Sequence, residues 1–258
     1  MRICMFTNTY LPLVGGASIS IERFRIALEH MGHSVYVVAP EYEDQTGDEP
    51  HVYRVSAIKQ VQRTRFSLPL PFALDLEDEV RAFAPDLIHA HHPFLLGDTA
   101  LRMAARLELP CVVTHHTHLE LYREYVPKNA QWLAGYVNEI CVGHANLCDA
   151  VLAPSTGVEH ELRKEGVTTP ITVVPTGVPA DEFSGGDRGV LRDEFGIPAE
   201  APLVGHVSRL APEKNQSFLL EALIAFLEEQ PDAHGLIVGD GESGEELRAR
   251  GSESPVSE

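Results

Sequence analysis

Positive charge is in short supply. The 258 residues carry 20 Lys and Arg against 38 Asp and Glu, a formal net charge of −18. That balance excludes a non-specific grip on nucleic acid through bulk positive charge. Lysine is scarcer than arginine, a bias that suits a high-salt cytoplasm or an arginine-rich, acidic proteome. Cysteine is scarce too. Cys4, Cys111, Cys141 and Cys148 contain no Cys-x-x-Cys pair, and three lie in apolar runs, as expected of small buried side chains in a reducing compartment. Long apolar runs are also missing. None approaches a membrane span, and the apolar stretch behind Met1-Arg2 is too short for a signal-peptide core. The expectation is a cytoplasmic protein, with peripheral contact at the inner face of a membrane left open.

What is present is a globular composition, 44% hydrophobic and 22% charged, with apolar runs alternating with helical patterns from the first residues. Strands are expected at Ile3–Phe6, Val35–Ala39, Val52–Val55, Leu87–Ala90, Cys111–Thr114, Val151–Ala153 and Thr172–Val174. Helical spacing runs from Ile19 to Met31, with Gly32 placed to end that helix. It recurs over Asp98–Leu107, Asn129–Leu147 and Gly157–Lys164. Strands without side alternation, separated by helices, imply a parallel sheet covered on both faces, an α/β fold. The Gly-, Pro- and acid-rich stretch from Thr176 to Asp187 breaks the pattern and reads as a linker. The alternation then restarts with strand Leu203–Val207, helix Asn215–Glu229 and strand Gly235–Val238, before a polar tail from Gly251. The expected domains are 1–180 and 181–258, the second only a part of a doubly wound unit.

Three segments carry polar groups where a parallel sheet would present them. The first strand runs into Asn8-Thr-Tyr-Leu-Pro-Leu-Val-Gly-Gly-Ala-Ser18. There Gly15 and Gly16 would allow close backbone approach to a phosphate or sugar at a helix N-terminus; alternatively they form an ordinary turn with Ser18 as the helix cap. This loop is not a Gly-x-Gly-x-x-Gly, which disfavours a dinucleotide. Histidines cluster at two strand ends: His89, His91 and His92, then His115, His116 and His118. They could satisfy loop carbonyls, hold a metal, or supply one histidine that hydrogen-bonds a polar substrate. In the third segment Arg209 and Lys214 flank a strand-to-helix turn, either as an anion site or as surface charge.

The order of these pieces resembles the family 4 retaining glycosyltransferases. The resemblance rests on Tyr10-x-Pro-x-x-Gly-Gly16, Gly32-His-x-Val35, Pro85-Asp-Leu-Ile-His-Ala-His91 and Pro93-Phe-x-x-Gly97. It continues through Pro110-Cys-Val-Val-Thr-His-His-Thr117, Ala153-Pro-Ser155, Val174-Pro-Thr-Gly-Val178, Gly205-x-x-Ser-Arg-Leu-x-x-Glu-Lys-Asn215 and Val238-Gly-Asp-Gly241. His116-Thr117 with Tyr122 and Tyr125-Val-Pro127 resembles the glycolipid-forming branch, such as diacylglycerol glucosyltransferases. The resemblance implies a GT-B fold: a complete Rossmann-like N-terminal domain on the acceptor side and an incomplete nucleotide-sugar domain. It implies transfer from a nucleotide-diphosphate sugar to a lipid or glycan, with retention and no required cofactor or metal. It also implies roles. His116 would be catalytic; Gly15, Gly16, Arg209 and Lys214 would bind the donor; Tyr10, His91, His118, Tyr122 and Tyr125 would lie on the acceptor side.

Departures limit the resemblance. A later paired-glutamate motif of the family, which holds the donor's sugar and ribose, has no counterpart. The helix from Trp132 to Leu147 is nearly free of Lys and Arg, whereas lipid-acting relatives often carry basic residues there. Lys59, Arg63 and Arg65 beside Phe66, Leu68 and Leu70 could substitute, or form a solvated loop. The rival expectations are a truncated, non-catalytic chain that binds an acceptor or a companion chain supplying the missing half, and a metal-dependent hydrolase built on the histidines.

Overall fold

In β1 (Arg2–Phe6) alternate side chains enter different cores. Cys4 and Phe6 join one buried cluster, Ile3 and Met5 another. A strand buried on both faces needs apolar residues at every position, which is why this run lacks alternation. The computed structural model describes residues 1–43, 49–59, 67–70, 73–116 and 132–256, with the backbone alone for 132–135. The chain divides into two units, Met1–Val178 and Pro179–Glu258.

In the first unit α1 (Gly16–His30) follows β1, then β2 (Ser34–Pro40) and β3 (Val52–Val55). Gly32 takes φ +82° behind α1, the left-handed turn the sequence places there. β4 (Ala57–Ile58) and β5 (Leu68–Pro69) form a small antiparallel ladder, so the ends of the expected Lys59–Leu70 loop are paired; Arg63, Arg65 and Phe66 lie outside the described residues. There follow α2 (Leu76–Phe83), β6 (Leu87–Ala90), α3 (Leu96–Leu107), β7 (Cys111–Thr114), α4 (Trp132–Leu147), β8 (Ala150–Ala153), α5 (Thr156–Glu165) and β9 (Ile171–Val173). The seven-stranded sheet has the order β3-β2-β1-β6-β7-β8-β9, and every pairing in it is parallel. The chain builds outward from β1 to β3, then returns to β6 on the other side of β1. The loops after β1 and β6 therefore diverge at the carboxyl edge of the sheet, the switch point where such folds hold ligands.

The second unit opens with a short, exposed 3₁₀ turn at Ala180–Phe183 and α6 (Arg188–Glu194), within and just after the expected linker. β10 (Leu203–Val207) and β11 (His234–Val238) pair in parallel, with α7 (Gln216–Glu229) between them and α8 (Gly244–Ser252) after them. α8 occupies the start of the expected polar tail and brings Leu247 into a cluster with Leu210 and Leu220, backed by Ile224 and Ile237. Leu220 and Ile224, one turn apart, face this core. From the same helix Leu223 packs against Gly235. On the sheet's opposite face Val207 is 79% and Val238 41% exposed.

Candidate functional site

The switch point is stitched together by Asn8. Its Nδ2 donates to the Phe94 carbonyl at 2.9 Å, and its Oδ1 accepts from the Leu96 backbone N–H at 3.0 Å. One buried side chain thus ties the loop after β1 to the loop after β6 and to the start of α3. The same junction requires glycine: a Cβ at Gly97 would stand 1.5 Å from the His92 carbonyl oxygen. Behind this edge Tyr10 is 3% exposed. Its hydroxyl donates to the Glu22 carboxylate, and its backbone N–H donates to Tyr42 Oη at 3.1 Å. Arg54 donates to the Leu11 carbonyl at 2.8 Å. Tyr10, expected on the acceptor side, is thus a core buttress of the glycine loop. In that loop Gly15 is the N-cap of α1 in extended backbone and Gly16 its first residue. Added Cβ atoms at both would meet open space. Ser18 lies buried inside the helix rather than capping it.

An array of imidazoles fills the edge between β6 and β7. His89, still within β6, sets Nε2 2.7 Å from Thr114 Oγ1. His91, two residues on, projects to the same side, as strand periodicity requires, and the two ring centroids are 4.0 Å apart. His91 Nδ1 lies 2.9 Å from His116 Nε2. His92 Nδ1 accepts the Asn8 backbone N–H at 3.1 Å, which leaves its proton on Nε2. His91, His92, His115, His116 and, from α4, His144 line a small cavity of about 60 Å³. Burial pushes His89 and His92 down to about 3 and His116 to about 4, and holds His91 well below the usual imidazole range. Facing imidazoles add to each shift. His89, His91, His92 and His116 are therefore neutral near pH 7 and interact through directed hydrogen bonds. Among the described residues no group of three or more His, Cys, Asp or Glu could hold a metal ion. A larger, open depression of about 600 Å³ lies at the amino ends of β1 and β2, lined by Arg2, His33, Tyr36 and Phe83 among others, on the sheet edge away from these groups.

In the second unit the loops after β10 and β11 are zipped together. Leu210 N–H donates to the Asp240 carbonyl at 2.9 Å and Ser243 N–H to the Leu210 carbonyl at 3.1 Å. Cβ atoms at Gly239 and Gly241 would fall 1.9 and 2.2 Å from the Ser208 and Leu210 carbonyl oxygens. Gln216, 2% exposed, opens α7 and donates to Ser208 Oγ at 2.9 Å and to the Arg209 carbonyl at 2.7 Å. Arg209 itself is exposed and pairs with Glu213. Lys214 closes the 3₁₀ turn Pro212–Lys214 and is exposed.

This two-unit plan matches two family models. Residues 14–182 match Glycosyltransferase Family 4 and residues 187–254 match Glycosyl transferases group 1. The chain belongs to glycosyltransferase family 4. The alpha-monoglucosyldiacylglycerol synthase of Acholeplasma laidlawii is 28% identical over 93% of this chain and 64% of its own length. The GDP-mannose-dependent alpha-mannosyltransferase of Corynebacterium glutamicum is 30% identical over 93% of this chain and 58% of its own. The chain thus spans about three fifths of the length of these relatives. Sucrose-phosphate synthase from Thermosynechococcus elongatus shares the fold, with a TM-score of 0.70 at 18% identity, over 96% of this chain and 66% of that one. The fold is of GT-B type, with a whole Rossmann-like first unit and part of a second.

Within this family 4 chain the first unit brings His91 and His116, one from each strand-end cluster, into contact. His118, Tyr122 and Tyr125 lie outside the described residues. Sequence reasoning missed Asn8, which stands in the loop it singled out but looks like any turn residue. Gln216 was missed as well, hidden by its ordinary place at a helix start. Gly239, Gly241 and Gly244 have Gly-x-Gly-x-x-Gly spacing, and the first two serve loop-to-loop packing.

Proposed function

We propose that this chain belongs to a transferase that moves a sugar from a nucleoside-diphosphate sugar to a lipid or glycan acceptor with retention of anomeric configuration. Residues 1–180 serve the acceptor side and residues 181–258 the nucleotide-sugar side. The observation that carries the reading is the contact of His116 with His91 at the carboxyl edge of the parallel sheet of a family 4 chain. His116 donates a hydrogen bond to the transferred sugar and steadies it as charge develops at the anomeric carbon. Arg209 and Lys214 neutralise the diphosphate, Arg209 exchanging its Glu213 partner for phosphate oxygens, where transition-state charge accumulates. The bond from anomeric carbon to phosphate oxygen breaks, the bond to the acceptor oxygen forms on the same face, and the acceptor's proton passes to the departing diphosphate. No resident cofactor enters this scheme. Gly15 and Gly16 leave open space for close approach of donor or acceptor. Work at the inner membrane face is supported by α4, which exposes Tyr136, Ile140 and Leu147 along one side; no helix among the described residues is long and apolar enough to cross a membrane.

The test is a transfer assay with a panel of nucleotide sugars and lipid acceptors, with the anomer of the product read by NMR. A retained anomer from at least one pair supports the reading; inversion overturns the retaining step. A second reading, that the chain binds an acceptor or a companion chain without catalysing, is favoured by the exposed face of β10 and β11. Activity only on adding an adjacent gene product would select it.

A further inference from the structure

His91 is 1% exposed and its Nε2 is buried with no hydrogen-bond partner. Its other nitrogen, Nδ1, lies 2.9 Å from His116 Nε2. Two neutral imidazoles in contact share one proton at that contact, so one donates and the other accepts. If His116 donated, the His91 proton would sit on Nε2 and form an orphaned N–H. Phe24 lies near that ring, and His89, its own Nε2 already against Thr114, lies tilted against it with ring centroids 4.0 Å apart. If His91 donates from Nδ1, only a lone pair is left unpaired. Buried orphan donors are the rarer defect. We propose that His91 is a positioning residue whose Nδ1–H donates to His116 Nε2, holding His116 as the tautomer with its proton on Nδ1.

This deepens the transfer reading and rests on it for what His116 does. With its Nε2 lone pair occupied by His91, His116 cannot take a proton there. Its Nδ1 then carries the proton and is the nitrogen that donates to the transferred sugar. The acceptor's proton must then leave by another route, the departing diphosphate. The ring orientation is fixed as well: the His91 contact holds one nitrogen in place, as outer hydrogen bonds hold ligating histidines elsewhere.

Long-range ¹⁵N–¹H NMR of the histidine-labelled full chain reads the tautomer with no need for activity. The expected result is His116 with a bare Nε2 and a protonated Nδ1. His92, fixed by the Asn8 N–H, should show the opposite pattern and serves as the folding reference in every variant. His91→Asn places an amide donor near the Nδ1 position and should keep the His116 pattern. His91→Phe keeps the ring without the donor and should raise the Nε2–H form. Where His91→Phe fails to fold, shown by loss of the His92 pattern, His91→Gln, with its amide at the Nε2 position, replaces it. A protonated His116 Nε2 in the wild type, or a His116 pattern unchanged in a folded donorless variant, overturns the proposal. In a transfer-competent protein His91→Phe should lower kcat about 10- to 100-fold with little change in KM, and His91→Asn should recover most of it. The expected tautomers without any sugar transfer would defeat the transfer reading and leave the tautomer assignment standing.

Discussion

Acid should unfold the first unit well before its carboxylates titrate. His89, His92 and His116 have folded values near 3, 3 and 4, against about 6.5 in an unfolded chain. Their folded values are depressed, so the neutral native rings contribute full stability above pH 6.5. That contribution is lost as the pH falls from 6.5 toward the folded values, because only the unfolded state takes up the protons. At pH 5 each ring has lost about 2 kcal/mol, from 1.36 kcal/mol per pH unit over about 1.5 units. Three rings give about 6 kcal/mol, an upper figure because rings this close titrate as a set, yet comparable to the whole stability of a domain. Carboxylates such as Glu22, which burial raises but which the combined hydrogen bonds and charge of Arg25 and the Tyr10 hydroxyl hold below the ordinary range, lose their contribution only below about pH 4.5, so the two windows separate. The assay is urea unfolding followed by far-UV circular dichroism from pH 8 to pH 5. The midpoint should hold between pH 8 and 7 and fall steeply below 6.5. His89→Gln, which removes one titrating ring and keeps a polar partner for Thr114, should reduce the slope by about one proton. A flat midpoint down to pH 5, or a slope unchanged in His89→Gln, would refute the burial argument.

Other outcomes follow from single contacts. Arg209→Ala or Lys214→Ala in a transfer-competent form should each lower kcat by about 100- to 1000-fold, the loss for one preorganised donor; unchanged rates in both would reassign the pair to surface charge. Gly97→Ala should destabilise the first unit by about 3–5 kcal/mol, because its methyl overlaps the His92 carbonyl, and a thermal midpoint within a degree of wild type would contradict that. Limited proteolysis should cut first between Thr176 and Asp187, where residues 180–188 are all exposed, and leave a resistant N-terminal fragment. Equal resistance of both units would show instead that the two-stranded second unit is as well ordered as the first.

Much of this architecture is legible in the amino-acid order because buried parallel strands write themselves as short apolar runs. Val52–Val55, Leu87–Ala90, Cys111–Thr114 and Leu203–Val207 appear in the structure with the expected bounds. What stays unmarked has little periodicity to show. α2 is eight residues long with only Leu76 and Val80 buried, α6 buries nothing, and the β4–β5 ladder is two residues a side. The site was half legible. Histidines at two strand ends are visible as letters, and adjacency of β6 and β7 follows from the α/β pattern. The contact of His91 with His116, and the neutrality of the array, depend on register and burial that spacing does not encode. Tyr10 illustrates the reverse: the family resemblance placed it on the acceptor side, whereas packing draws its ring into the core.

In the proposed reaction a neutral, donating His116 serves sugar transfer. Its most direct measurement is the single-turnover rate of transfer from a nucleotide sugar to a lipid acceptor, compared between wild type and His116→Ala across pH 5.5 to 8. A 100- to 1000-fold loss in the variant is expected. Corrected for the folded fraction read by circular dichroism at each pH, the wild-type rate should show no titration near pH 6.5, because His116 stays uncharged in the folded protein throughout that range. A wild-type rate that rises through an ionisation near 6.5 and loses it in His116→Ala would make His116 a titrating base and contradict the account.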